Sequence, residues 1–205
     1  MNTVQIRPQA NIVKRILWLY GLYSLLNMVS YLFGYYLLPE GFMRGSPYSV
    51  IGSFVASATS FWGEFGLTLL FNLGTVIVVC MLTNLQQFKG IPIGYIVPVI
   101  LGISSGLVSG TNSFSASDLK QFNAWDGMAL GMSIGGVEML AYVLVISATA
   151  NVGLTQYKNL WQWKGEKIRN LRDIRLSASE IFCLCLGVLM IVIAAYRETV
   201  MAINL

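Results

Sequence analysis

The sequence predicts an all-α polytopic membrane helix bundle of about five transmembrane spans, joined by one shorter interfacial helix. Three observations predict it. Of 205 residues, 56% are hydrophobic and only 11% charged, too little charge to cover the surface of a soluble domain. The charges fall mostly between long apolar runs. Two of those runs carry glycine at every fourth position: Gly102, Gly106 and Gly110 in one, with Gly90 and Gly94 upstream, and Gly127, Gly131 and Gly135 in the other. In a soluble helix each such glycine costs roughly 1 kcal/mol relative to alanine. Between lipid tails, helices associate by close backbone approach, which small residues four apart permit. The two glycine-rich segments are therefore expected to pack as the core of a single membrane domain, residues 1–205.

The polar N-terminus runs to Asn11, and Lys14 and Arg15 precede a first span at 16–38. Its length, about 34 Å as helix, is enough to cross, and it lacks the short apolar region and cleavage site of a secretory signal. Pro39 and Gly41 end it. The apolar stretch 48–60 is too short to span, at about 13 residues, and reads as an interfacial or re-entrant helix. Span two covers 66–85 and contains Asn72. A tight turn at 86–89 leads to span three, 90–110, in which Pro92 and Pro98 bend or break the first half. The polar stretch 111–126 is an aqueous loop. Span four, 127–155, is longer than a bilayer requires and is expected to tilt or to extend beyond it. Residues 157–175 form the main charge cluster, and span five covers 178–196.

Basic residues orient the bundle. With the N-terminus inside, Arg7, Lys14, Arg15, Lys89, Lys158, Lys164, Lys167, Arg169, Arg172 and Arg175 are inner, and only Arg44, Lys120 and Arg197 are outer. That asymmetry is the positive-inside bias of a cell-membrane protein with a cytoplasmic N-terminus and an outside C-terminus. Trp62 and Trp125 then lie at the outer interface, and Trp18, Trp161 and Trp163 near the inner one.

Candidate functional residues are few. Glu138 lies about 20 Å along span four from Trp125, which predicts a position near mid-bilayer. A carboxylate there costs several kcal/mol unless protonated, paired or wet. It reads either as a proton or substrate site, or as a neutral acid bonded across the bundle to Asn72, Ser104 or Ser105. Glu64 and Glu180 sit at span ends, where they reach water. In the inner loop, Ile168, Leu171 and Ile174 recur every third residue among Lys164, Lys167, Arg169, Arg172 and Arg175. That spacing suits a short amphipathic helix on an anionic leaflet, or a docking element for a cytoplasmic partner.

Other chemistry is not expected. Histidine is absent, which removes the commonest general base and metal ligand. Cys183 and Cys185 point about 200° apart on a helix and cannot share a metal; with Cys80 they read as small buried apolar residues. No nucleotide-binding or redox motif and no paired intramembrane acids are present, so neither an enzyme nor a cofactor is expected. Nucleic acid is not an expected partner, because the basic cluster adjoins membrane spans.

The segment from Phe71 to Gly153 resembles the stage II sporulation protein M family of integral membrane proteins. The resemblance rests on Phe71-Asn72-Leu73, on Gly90-Ile91-Pro92-Ile93-Gly94, and on Gly135-Gly136-Val137-Glu138-Met139-Leu140-Ala141 followed by Gly153. Where the family usually has Pro-His before the first glycine of that last block, this chain has Ser133-Ile134. The resemblance implies a multi-span, non-enzymatic membrane partner, which in spore-formers assembles with cell-wall hydrolases and elsewhere accompanies transport or envelope machinery. The expected function is a non-catalytic subunit that scaffolds or anchors a membrane complex. It would contact lipid, other membrane subunits or a cytoplasmic ATPase-like partner. The alternative is a permease-type subunit in which Glu138 titrates.

Overall fold

The computed structural model describes residues 11–114, 123–159 and 161–203. Arg7 and Lys120, and residues 115–122 of the expected aqueous loop, lie outside the described residues. The chain is an all-α bundle with a small sheet at one end. Its elements are α1 (Ile12–Leu37), α2 (Pro47–Ala56), α3 (Phe61–Gly74), a π-helical segment (Thr75–Met81) and a closing α-turn α4 (Leu82–Asn84). There follow β1 (Gln86–Phe88), β2 (Ile91–Pro92), a 3-10 turn (Ile93–Tyr95), α5 (Ile96–Gly110) and α6 (Ala124–Thr149). The chain ends with β3 (Thr155–Tyr157), β4 (Glu166–Lys167), a second 3-10 turn (Leu171–Asp173) and α7 (Ala178–Ile203).

Four helical stretches are long and apolar enough to cross a bilayer: Ile12–Leu37, Phe61–Asn84, Ile93–Gly110 and Ala178–Met201. α6 adds a fifth where its two parts, Ala124–Ser133 and Gly135–Thr149, bent by 45°, are taken as one span. These are the helices of an integral membrane protein. The spans differ from expectation mainly at their ends. The first begins at Ile12, so Lys14 and Arg15 are helical, and Arg15 is buried with its guanidinium donating to the Ser147 carbonyl at 2.6 Å. The third begins after Pro92, because Gly90 turns with φ +83 and residues 91–92 pair as a strand. The fourth stops at Thr149, and 155–157 leave it as β3. The short helix α2 is capped by the Ser46 hydroxyl and started by Pro47, and at 10 residues it does not span.

The second half of α6 is the centre of the bundle. Every residue from 141 to 150 is buried, as expected of a helix that is apolar all round. It packs on α7, where a Cβ at Gly187 would meet the Ala141 carbonyl oxygen at 3.0 Å. The first glycine row is a close-approach surface, but its partner is α1 rather than α6. A Cβ on Gly102 would stand 3.0 Å from the Tyr23 carbonyl oxygen, and one on Gly106 would stand 2.5 Å from that of Asn27. Gly110 meets the Tyr31 carbonyl in the same way, and Gly34 returns the fit by facing the Leu107 carbonyl at 3.3 Å. Beside this seam the Asn27 amide donates to the Ser105 hydroxyl at 2.8 Å.

The second row corrects the expected pairing. A Cβ at Gly131 meets only the Ser109 side chain, 3.6 Å away, and one at Gly135 only the Tyr23 hydroxyl at 4.0 Å. Gly127 is half-buried near the start of α6. The row straddles the bend, so it presents no single smooth face. Three features meet at the bend: the Ser133 hydroxyl bonds back to the Leu130 carbonyl at 2.9 Å, Arg197 of α7 donates to the Ser133 carbonyl, and Gly135-Gly136 follow. Side chains that take ladder carbonyls beside glycines are a recognised origin of helix kinks.

Both ends are knitted. At one, Gly41 N donates to the Thr111 carbonyl at 2.7 Å and Met43 N to the Ser113 hydroxyl at 3.0 Å. At the other, the sheet runs β2-β1-β3-β4, with β1 and β3 parallel and Gln87 opposite Gln156. The fully buried Asn84 ties α4 to α6 there through Ile146 O at 2.9 Å and Thr149 Oγ1 at 2.8 Å.

Candidate functional site

The polar interior is built on three helices whose register can be read from their bonds. Tyr142 of α6 donates its hydroxyl proton to Glu138 one turn earlier, and lies 3.3 Å from Asn72 Oδ1 on α3. A phenol has one proton to give, so these two acceptors compete. With the Asn72 amide turned over, Nδ2 donates to the Tyr142 oxygen and the row Asn72–Tyr142–Glu138 acquires one direction. That arrangement also employs Nδ2, which otherwise has no partner. The link expected between Asn72 and Glu138 thus runs through a tyrosine. Ser104 and Ser105 are not part of it: each bonds to a carbonyl of its own helix, at Ile100 and Leu101.

Both α3 and α6 run toward the sheet end, so the match of Asn72 to Tyr142 sets Thr68 level with Glu138. Glu64 is then level with the bend of α6. The antiparallel α7 agrees, because Arg197 reaches Ser133 and places the neighbouring Glu198 at that same level. Glu138 therefore lies about 10 Å along the bundle from the Phe61 end of the Phe61–Asn84 stretch, at 1.5 Å per residue. The bend at Ser133 shortens the distance along the bundle that a straight α6 would give.

Glu64, Thr68 and Asn72, one turn apart, form a polar stripe down α3. Glu64 is buried rather than reaching water, and Thr68 is 4% exposed with no partner for its hydroxyl. Glu198 interacts electrostatically with both Glu138 and Glu64. Glu180, also expected in water, is buried instead, accepting from Asn151 Nδ2 at 2.6 Å and from Ser177 N at 2.8 Å. Cys80 and Cys183 are buried, whereas Cys185 is exposed.

The sheet end is the second candidate. Leu154 N and Thr155 N both donate to the Leu85 carbonyl, and Lys89 N donates to the Tyr157 carbonyl at 2.8 Å, so the loops after α4 and α6 form one platform. At Gly153 the Gln87 side chain occupies the place a Cβ would take, with Cδ at 2.6 Å. The amphipathic helix expected over 168–174 does not form. Residues 166–167 pair as β4, and only a single 3-10 turn follows at Leu171–Asp173. Trp161 and Trp163 are 91% and 100% exposed. Lys164, Lys167, Arg172 and Arg175 are exposed as well. Arg169 is not: its guanidinium donates to the Asn151 carbonyl at 2.8 Å and holds the loop against α6. Gln86, Phe88, Ile93, Tyr157, Asn159 and Gln162 line a groove on this platform.

No family model, curated protein or solved structure matches this chain.

Proposed function

We propose that this chain is a non-catalytic integral membrane subunit that anchors a larger complex through its sheet-end platform. The observation that carries the reading is the platform itself. A loop that served only the positive-inside bias would need no sheet. Here two loops separated by two spans are hydrogen-bonded into one surface that presents two bare tryptophans beside four cations. Tryptophan and arginine are the residue types that dominate binding energy at protein interfaces. The resemblance to the stage II sporulation protein M family supports the same reading. The bend of α6 falls at Ser133-Ile134, where that family usually has Pro-His, and the Ser133, Arg197 and glycine arrangement breaks the helix as a proline would. The partner is a cytoplasmic ATPase-like protein or another membrane subunit.

The decisive measurement is quantitative co-purification in a gentle detergent. Trp161→Ala/Trp163→Ala combined with Arg172→Glu/Arg175→Glu should release the partner while the chain keeps its own melting temperature. None of these side chains is packed in the bundle, and exposed substitutions usually stay within about 0.5 kcal/mol. Undiminished partner retention by this variant would reject the platform as the docking surface.

The platform is assigned to the cytoplasmic side with the N-terminus, leaving the C-terminus outside. Single cysteines at Lys164 and Ser117, in a chain with Cys80, Cys183 and Cys185 replaced by alanine, should label from opposite faces of the membrane, Lys164 from within. Labelling of both from one face would contradict the alternation of five crossings.

A permease-type role has one observation in its favour, the group of three acids on α3, α6 and α7.

A further inference from the structure

We infer that the groove on the sheet-end platform receives an extended acidic segment of the partner protein. Lys89 holds a carboxylate of that segment, and the Gln86 and Asn159 amides and the Tyr157 hydroxyl hold its main chain. The inference rests on the anchoring role and deepens it, by naming the chemistry of what docks. Lys89 comes from the β1–β2 turn, not from the loop that carries the tryptophans and arginines.

The groove takes its walls from both loops. Gln86 and Phe88 are two apart on β1 and so point to one face of the sheet. Tyr157, opposite Phe88 on β3, shares that face, and Ile93, Asn159 and Gln162 complete the lining. The wall after β3 is braced. Gln162 Oε1 accepts from Lys158 N at 2.8 Å, Gln162 Nε2 donates to the Lys164 carbonyl at 2.9 Å, and Lys158 Nζ pairs with Glu166 at 2.6 Å. Gly165 lies against the Tyr157 ring, where a Cβ would stand 3.0 Å from Cζ. Among the described residues, no other group engages the Gln86 amide, the Asn159 amide or the Tyr157 hydroxyl, so all three are open to a ligand. A surface braced before binding loses less freedom when it binds.

Lys89 is the independent observation. With Gly90 it forms the two-residue link between β1 and β2, at φ +49 and +83. Two positive φ values mark the hairpin turn that favours Asn-Gly, and a lysine in that conformation is uncommon. Its N–H donates to the Tyr157 carbonyl at 2.8 Å, and its Nζ lies 5.6 Å from the centroid of the Phe88 ring, which lines the groove. An unfavourable backbone position thus carries a cation to the edge of the groove. Among the described residues no carboxylate pairs with it, whereas the Lys158 ammonium is taken by Glu166.

Charge and size set the class of ligand. Residues 157–175 hold six cations and two acids, and the rest of the chain holds seven of each, so the whole net charge of +4 sits on this loop. That field favours an acidic partner. The groove has a volume of about 250 Å³, below the roughly 300–1,000 Å³ of sites that enclose a drug-sized ligand. It has room for a short stretch of chain, not for a whole nucleotide. None of its six lining residues is charged, so a phosphate lodged inside would lack a counter-charge. Neutral peptide units suit it, with the carboxylate at the Lys89 rim. A primary amide offers both a donor and an acceptor, as a main-chain peptide unit requires, and Phe88, Tyr157 and Ile93 give the segment an apolar floor.

The test uses the purified full-length chain in detergent and a random octapeptide library displayed on phage. Peptides retained by the wild-type chain should be enriched in Asp and Glu. The most frequent of them, synthesised and followed by fluorescence anisotropy, should bind Lys89→Asn about tenfold or more weakly, the size of one charge-assisted hydrogen bond. It should bind Lys89→Arg close to normally and Tyr157→Phe several-fold more weakly. Asparagine suits the positive φ, so Lys89→Asn loses the charge without loss of the turn. No acidic enrichment, or equal binding by Lys89→Asn, overturns the proposal. So does full displacement of the peptide by phosphatidylglycerol, which would make the occupant an anionic leaflet. The two roles fail separately. If the variant carrying Trp161→Ala, Trp163→Ala, Arg172→Glu and Arg175→Glu keeps its partner, the docking role fails and this inference with it. If that variant loses its partner while Lys89→Asn binds the peptide like wild type, the docking role stands and the groove is not where an acidic segment sits.

Discussion

Gly106→Leu is expected to abolish the folded monomer, and Gly106→Ala alone to lower its stability by about 1–3 kcal/mol, the range for overpacked sites. The atoms a new Cβ would strike are the Asn27 carbonyl oxygen at 2.5 Å, Ser30 Cβ at 2.9 Å and the Tyr31 amide nitrogen at 3.0 Å. Two of the three are backbone, so no rotamer change makes room and α1 must move away from α5. Moving it opens a seam that Gly34, Gly102 and Gly110 also close. Dispersion falls off within an ångström of separation, and in lipid no hydrophobic term replaces it. For a chain of this size each kcal/mol moves the melting temperature by about 2–4 °C, so the alanine variant should melt about 2–12 °C lower. Gly131→Leu is the control. Its nearest neighbour outside its own helix is the Ser109 side chain at 3.6 Å, an ordinary contact, and the leucine should be accommodated with little loss. If Gly131→Leu proved as damaging as Gly106→Leu, the seam would not be the α1–α5 contact.

That contrast marks how far the sequence can be read. The spacing of Gly102, Gly106 and Gly110 is enough to identify a surface for close approach, because so many glycines in one helix need a reason. It does not identify the opposing helix. The complementary features on α1 are one glycine, Gly34, and one amide, Asn27, in a run otherwise full of aromatics, and neither forms a row. The second row has the same spacing, yet a bend at Ser133 divides it, and one feature that meets it there is Arg197, 64 residues away. Glu138 and Asn72 stand out in sequence because an acid and an amide are rare in apolar runs. Thr68 and Tyr142 lie beside them but do not stand out, because threonine and tyrosine are ordinary in membrane helices. The platform was the least legible part. Strands of two or three residues carry no measurable period, and β1 and β3 pair across a stretch containing two spans. The three-residue spacing of Ile168, Leu171 and Ile174 that suggests a helix belongs instead to a loop held by Arg169.

Glu138→Gln should leave both folding and partner retention close to wild type, whereas Glu138→Leu should lose stability. The glutamine keeps the shape of the side chain and an oxygen for the Tyr142 hydroxyl, and it adds a donor without a titratable proton. Leucine removes the acceptor and leaves the Tyr142 hydroxyl with only the longer contact to Asn72, 3.3 Å away. The expected loss is about 1 kcal/mol, as for the net contribution of one hydrogen bond, or about 2–4 °C in melting temperature. Tyr142→Phe should fall between the two, since it removes the bridge but leaves the carboxyl and the amide able to approach each other. The three variants should be scored side by side for melting temperature, for partner recovered in a gentle detergent, and for activity of the assembled complex. In the anchoring role the glutamine form is active, because nothing in that role requires a proton at this position. A glutamine form that assembles fully but leaves the complex inactive would reject the anchoring role. It would place a proton-dependent step at Glu138, as the permease-type role requires.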